Sequence, residues 1–328
     1  MAEPLVTAAI LSYNRRDQLA VTLETLQERL DWPQDRLEIV VVDNASSDGT
    51  PDMVRERFPG VRLIESGGNL GIAGWNLAFA AGSGDWFLVL DDDCHVSGDA
   101  LRRAVEAAER EDAQMVSFSI DSPDGTAFSD FYRTGLLAFW GCAVLMAREP
   151  VQRLAGFDAT LFIWAHEVEF TMRFLDAGYR HLTLPEVHAL HMKSVPPVTV
   201  PAHRRNMRNW GYVAAKLLQP RDAMLAVASL VVRACLEMLL SPGFALGAID
   251  ALKGARDGLR VREPVRPAVS RLYRRDFIDF TSQFRLIPRL RHYVPLGRER
   301  PPNFREQFHL ARERLYPRSS AALRIPRP

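Results

Sequence analysis

The first 93 residues alternate between two periodicities, and that alternation restricts the folds open to the chain more than any other feature. Residues 5–13, 37–42, 61–65 and 86–90 are short runs of mainly Val, Ile, Leu and Ala, each of strand length. Between them, residues 15–30 place Leu19, Leu23, Leu26 and Leu30 at helical spacing, a second helix is expected from Pro51, and residues 71–81 read as a third. Strands this apolar are buried on both faces, and strand, helix, strand in succession gives a parallel pair joined by a right-handed crossover. The expected architecture is α/β, a mostly parallel sheet with helices on both faces.

The fourth run ends in three consecutive carboxylates, Asp91, Asp92 and Asp93. Acids clustered at the carboxyl end of a buried strand repel one another unless a cation or hydrogen-bond donors compensate, and open α/β sheets bind ligands at those strand ends. A solvated acidic loop accounts for the same triplet without chemistry. Its neighbours shift the balance. Ser12, Tyr13 and Asn14 close the first strand, and the turn-rich stretch from Asp43 to Thr50 closes the second. A carboxylate such as Asp43 can accept from the N–H of a pyrimidine base, or cap its own turn. Residues 69–76 set Asn69, Gly71, Gly74 and Asn76 at a helix start, where backbone N–H groups can approach ribose or diphosphate closely.

After Asp93 the alternation loosens. A helix over 101–109, a strand over 114–120 and a polar, turn-rich stretch over 121–133 precede apolar strand material at 136–146. A helix starting near Glu167 turns Phe170, Phe174 and Leu175 inward, and two short strands follow at 180–184 and 187–191. Residues 195–201 hold three prolines and read as a linker or lid. From His203 the chain is helical and basic, then irregular and rich in Arg and Pro from Arg262.

Taken in order, residues 9–14, 40–50, 69–76, 86–93, 156–173 and 185–194 resemble the family 2 glycosyltransferases, in particular the bacterial rhamnosyltransferase-like and galactofuranosyltransferase-like members. The resemblance implies a GT-A (Rossmann-like) domain over residues 1–200 with a helical, basic extension over 201–328, and a nucleoside-diphosphate sugar as donor. It implies that Ser12, Asn14, Asp43, Asn69, Gly71, Asn76, Asp91 and Asp92 hold the donor, with Asp43 at the nucleobase. Asp91, Asp93 and His191 would bind a divalent metal, Mg²⁺ or Mn²⁺. The family's Glu-Asp pair, whose aspartate is the catalytic base, reads His166-Glu167 here, which makes Glu167 the base. Glu169 is the second choice, its simpler role being a partner of Arg173 one helical turn away. One carboxylate with no second nucleophile implies direct displacement with inversion. His188 as a further ligand, Trp140 and Trp164 as sugar-stacking residues and Arg148 as a phosphate contact each compete with an ordinary structural role.

Charge divides the chain. Residues 196–328 hold 25 Lys+Arg against 10 Asp+Glu, which leaves 16 and 30 before them, so a net +15 follows a net −14. The basic part is expected to meet an anionic surface, to pack on the acidic part, or both. Residues 224–240 are the most apolar stretch, but Arg233 and Glu237 interrupt them and they fall short of the roughly 20 residues a span requires. They are expected to pack on the catalytic domain or to lie in a membrane plane, which places the protein in the cytoplasm at the inner membrane face with a glycan or lipid-linked acceptor; a homo-oligomer interface is the other use open to them. Cys94, Cys142 and Cys235 show no paired metal spacing and fit a reducing compartment, and residues 1–7 lack the form of a secretory signal. Few aromatics interleave the arginines, which argues against nucleic acid. Two rivals remain, a sugar nucleotidyltransferase, which lacks its triphosphate loop here, and a non-catalytic binding protein with a decayed site.

Overall fold

The computed structural model of the chain describes residues 3–96, 98–123, 138–192, 199–239 and 241–278. Most of the 121–133 stretch, the start of 136–146, residues 195–198 of the proline-rich segment, Leu240 and the Arg/Pro-rich stretch from 279 lie outside the described residues.

The expected alternation forms in order as β1 (Val6–Ser12), α1 (Arg16–Arg29), β2 (Leu37–Asp43), α2 (Thr50–Arg57), β3 (Arg62–Glu65), α3 (Gly74–Ala81) and β4 (Trp86–Asp91). Residues 71–81 are not one helix: Gly71–Ala73 is a 3₁₀ turn that leads into α3. At the α2 start, Asp48 Oδ1 accepts from Thr50 N at 3.1 Å, and Pro51 occupies the first turn, where a missing N–H costs nothing. The chain continues through β5 (Cys94–Val96), α4 (Ala100–Glu111), β6 (Met115–Asp121), β7 (Ala143–Ala147), α5 (Arg148–Arg153), α6 (His166–Asp176) and β8 (His181–His191). Four helices follow: α7 (Val200–Leu217), α8 (Pro220–Glu237), α9 (Leu246–Arg260) and α10 (Pro267–Ile278).

The eight strands form one sheet in the order β3-β2-β1-β4-β7-β6-β8-β5. The first four are parallel, as the crossovers require, but β7 runs antiparallel to both β4 and β6, so the sheet is mixed. The two strands expected at 180–184 and 187–191 are a single strand, β8, parallel to β6. Its register slips between Phe118 and Ser119, opposite Pro185, which has no N–H for the ladder. Residues after Arg262 are not uniformly irregular, since α10 is regular helix and packs its Tyr273 and Phe277 inward.

Alternate residues of β1 face opposite layers. Val6, Ala8 and Ile10 pack with Leu19, Leu23 and Leu26 of α1, and Ala9 packs with Val40, Trp75 and Phe79 on the other side. A third apolar cluster joins Leu161, Val168 and Met172 to Tyr212, Leu217 and Tyr273, so the helical extension shares a core with the segment around α6. Because β1 has β2 on one side and β4 on the other, the chain reverses its strand order there, and the crevice opens at the carboxyl ends of those strands.

Candidate active site

Register decides which side chains line that crevice. Ser12 is paired with Asp43 across β1 and β2, and Leu11 with Asp91 across β1 and β4, so polar groups close three adjacent strands, Ser12 and Asp43 on one face of the sheet and Asp91, one register step earlier, on the other. Asp43 is buried; its Oδ2 accepts from Ser46 N at 2.9 Å, while Oδ1 has no hydrogen-bond partner among the described residues. A buried acceptor left over at a strand end fits the N–H of a nucleobase, since leaving it unmet costs about 1–3 kcal/mol.

His191 reaches the same place from the far side of the sheet, because β5 folds back against β8 and pairs Cys94 with His191. His191 Nε2 lies 3.2 Å from Asp93 Oδ1 and 3.6 Å from Asp91 Oδ2, and one ligand atom from each of the three residues lies within 4.8 Å of the others. Ligands bound at roughly 2.0–2.2 Å to one ion stand about 3–4 Å apart, so this group fits a divalent cation.

The charges are balanced within the protein. Arg15 donates to Asp93 and lies 3.7 Å from Asp92 Oδ1. Burial, then the charge of Asp93, pushes the Asp92 carboxyl well above the usual range, against the pull of Arg15. For His191, burial works against the charged ring, but Cys142, Asp93 and Asp91 outweigh it and raise the group to about 9. His95, wholly buried nearby, is held neutral by its burial, its value lowered to about 4. Sequence reasoning missed Arg15 and His95. His95 stands two residues after Asp93, close enough along the chain to be a legible signal, whereas nothing links Arg15 to an acid 78 residues away.

Glu167 stands at the start of α6, its side chain 23% exposed, with Oε2 3.2 Å from Nδ1 of the buried His166. Burial lowers His166 and keeps it neutral. Trp164 and Ala165, immediately before, both adopt positive φ, at 65° and 64°. Such backbone is costly outside glycine and persists only where surrounding contacts hold it. The contacts come from α7: Asn209 Nδ2 donates to the carbonyls of Ile163 at 2.7 Å and Trp164 at 3.2 Å. A Cβ on Gly141 would stand 3.1 Å from Glu167 Oε1, so this glycine leaves the carboxylate its room.

Several expected donor contacts are engaged within the protein instead. Asn76 donates from Nδ2 to the Phe157 carbonyl and accepts from the Phe157 N–H, both at 2.8 Å, which fixes the loop before α6. Asn14 accepts from Ser47 N at 2.7 Å and ties the β1 loop to the β2 loop. Asn69 Oδ1 accepts from Gly71 N at 2.9 Å, and Gly71 is needed because φ is +57° and a Cβ would meet the Phe162 carbonyl. Asp92 is buried, with Ser12 and Arg15 as neighbours. Arg148 is at the opposite end of β4, donating to Gly84 and Gly82 carbonyls, and His188 pairs with Asp121 at 2.9 Å. Glu169 is fully buried, with Arg173 bidentate at 2.8 Å and Lys216 at 2.8 Å.

Residues 7–167 match the family model described as glycosyl transferase family 2. The chain is 37% identical over 134 residues to the succinoglycan biosynthesis protein ExoO of Rhizobium meliloti, covering 39% of this chain and 37% of that one. It is 25% identical over 206 residues to the N-acetylglucosaminyl-diphospho-decaprenol L-rhamnosyltransferase of Mycobacterium tuberculosis, covering 48% and 67%. In fold it matches the mannosyltransferase of Pyrobaculum calidifontis in complex with GDP-Man and Mn²⁺, with a TM-score of 0.54 at 22% identity over 80% of this chain and 89% of that one. The chain thus spans little more than a third of the first relative's length. The strand-end acids, the Asp-Asp-His group and these likenesses agree that residues 7–167 form a glycosyl transferase family 2 domain, within a chain of GT-A fold.

Proposed function

We propose that the protein is a metal-dependent, inverting glycosyltransferase that moves a sugar from a nucleoside diphosphate to a hydroxyl of a glycan or lipid-linked acceptor. The observation that carries this reading is the convergence of Asp91, Asp93 and His191 at the strand-end crevice to which Asp43, with its unmet buried acceptor, also belongs. Asp43 Oδ1 receives the base N–H, and the strand ends at Ser12 and Asp91 face the ribose and diphosphate. Asp91, Asp93 and His191 hold the divalent cation, which when bound offsets charge on the leaving diphosphate as a Lewis acid. Asn14, Asn69, Gly71 and Asn76 act by shaping the loops around the donor.

Glu167 takes the proton of the acceptor hydroxyl. The acceptor oxygen forms its bond to the anomeric carbon from the side opposite the departing phosphate, the carbon–phosphate-oxygen bond breaks, and the nucleoside diphosphate leaves with that electron pair. One displacement inverts the anomeric centre. Glu169 is unsuited to the task, because Arg173 and Lys216 already occupy both of its oxygens. A lipid-linked acceptor, met at the cytoplasmic face of a membrane, is supported by the decaprenol-linked acceptor in the name of the mycobacterial relative.

Glu167→Gln is the direct test. It keeps size and removes the proton acceptor, so turnover is expected to fall by at least about 10²-fold with donor affinity nearly unchanged. Turnover at the parent rate in a folded Glu167→Gln protein would take the base away from Glu167.

A further inference from the structure

Of the 16 large apolar side chains that stand exposed among the described residues, 12 lie between positions 224 and 272, so the apolar surface belongs to the helical extension and not to the catalytic half. On α8 it is organised. Ala223, Ala226, Leu230 and Ala234 face inward, while Met224, Leu225, Val232 and Leu236 recur along the opposite side, and Leu239 just beyond is 82% exposed. Leu246, Ile249, Leu252 and Leu259 of α9 are exposed in the same way, Leu252 at 53%.

The charges of these two helices are sorted. Every acid on them is turned in or paired: Asp222 accepts from Ser270 Oγ at 2.8 Å, Glu237 from Arg233 at 3.0 Å, Asp250 from Arg204 at 2.6 Å, and Asp257 from Arg256 at 3.1 Å. The exposed charged groups are Arg221, Lys253, Arg256 and Arg260. An apolar face edged only by cations complements an anionic lipid surface, with acyl chains for the one and phosphates for the other. Among the described residues no helix is long and apolar enough to cross a membrane, so such a helix lies in the plane of the interface.

We propose that α8 and α9 form a docking face that seats the protein on an anionic bilayer. Met224, Val232 and Leu236 enter the headgroup boundary, and Arg221, Lys253, Arg256 and Arg260 meet lipid phosphates. A second copy of the chain is a poorer occupant, because a two-fold contact would set the basic edge against itself with no exposed acid on either helix to receive it. The proposal deepens the reading of a membrane-carried acceptor and rests on it only for its purpose, since docking is measured without turnover.

The test is co-sedimentation of the full chain with phosphatidylglycerol-containing and pure phosphatidylcholine vesicles. Salt is set at about 0.1 M and about 1 M, where the Debye length falls from roughly 10 Å to 3 Å. Binding is expected to be at least about tenfold tighter to the anionic vesicles and to weaken at high salt. The double variant Val232→Glu/Leu236→Glu is expected to lose at least about tenfold in binding, with its circular dichroism, Tm and nucleotide-sugar hydrolysis unchanged, and Lys253→Gln/Arg256→Gln to lose the preference for anionic lipid. Three results overturn the proposal: no binding of the full chain to anionic vesicles; equal binding by Val232→Glu/Leu236→Glu; or a dimer that this double variant dissolves in a protein that ignores vesicles. Loss of hydrolysis in Glu167→Gln with docking intact would separate failure of the site from failure of the face.

Discussion

Glu167 and Glu169 stand two residues apart on α6 and meet opposite environments, which is why Glu167 and not Glu169 is the proposed base. Glu167 keeps an exposed edge beside Gly141, whereas Glu169 is wholly buried between Arg173 and Lys216. Removing one member of a buried ion network leaves its partners uncompensated, typically at about 3–5 kcal/mol. Glu169→Gln is therefore expected to shift the denaturant midpoint strongly, and Glu167→Gln to leave it almost unmoved; the reverse pattern in a urea titration would exchange their roles. At the strand end, Asp93 joins Arg15 to His191, so Asp93→Ala removes a ligand atom and leaves the Arg15 guanidinium without the carboxylate that offsets its charge beside the cation site. Calorimetry with Mn²⁺ and a nucleoside diphosphate is expected to show no metal-dependent binding by Asp93→Ala. Affinity equal to that of the parent would exclude Asp93 from the cation site.

At the scale of elements, α7 is the piece that holds the segment carrying Glu167 in place. One face of this helix carries Arg208, Asn209, Tyr212 and Lys216 at helical spacing, and all four bond the stretch from Asp158 to Glu169. Asp158 accepts from Tyr212 at 2.7 Å and from Lys216 at 2.6 Å. Burial raises the Asp158 carboxyl, but Lys216 and Tyr212 outweigh it and bring the group down to about 2. A carboxylate depressed in the folded state contributes stability above its unfolded value near 4, and that stability is lost as pH falls through 2. At 1.36 kcal/mol per unit the contribution is about 2 kcal/mol at neutral pH. Asp158→Asn is expected to cost about that much in urea unfolding at pH 7, and the gap to the parent should close as pH drops from 4 towards 2. A gap independent of pH over that range would mean that Lys216 does not stabilise the ionised form.

Across the whole molecule, the acidic half carries the crevice and the basic half supports and extends it. A ligand that binds only the folded state stabilises it by RT ln(1 + [L]/Kd), about 2.7 kcal/mol at a hundredfold excess, so thermal unfolding should sort UDP, dTDP and GDP in the presence of Mn²⁺. One nucleotide is expected to raise the Tm by several degrees; no response to any of the three would count against a nucleotide site at Asp43. The α/β class, the first four strands and their helices, and the acids at Asp43 and Asp91 to Asp93 were all legible in the sequence, because hydrophobic period and strand-end polarity are local properties of the chain. The antiparallel insertion of β7 was not, since strand direction depends on where the chain returns and not on its composition. Nor were the joining of 180–184 and 187–191 into one strand around Pro185, or the regular helix α10 in a stretch dense with Arg and Pro. The site divides in the same way. Residue type proposed the carboxylates, but only tertiary structure engaged Asn76 with Phe157, buried Glu169 under Lys216, and brought Arg15 and His191 to Asp93. Those outcomes rest on contacts between residues from 47 to 98 positions apart, and such contacts leave no period for a sequence to display.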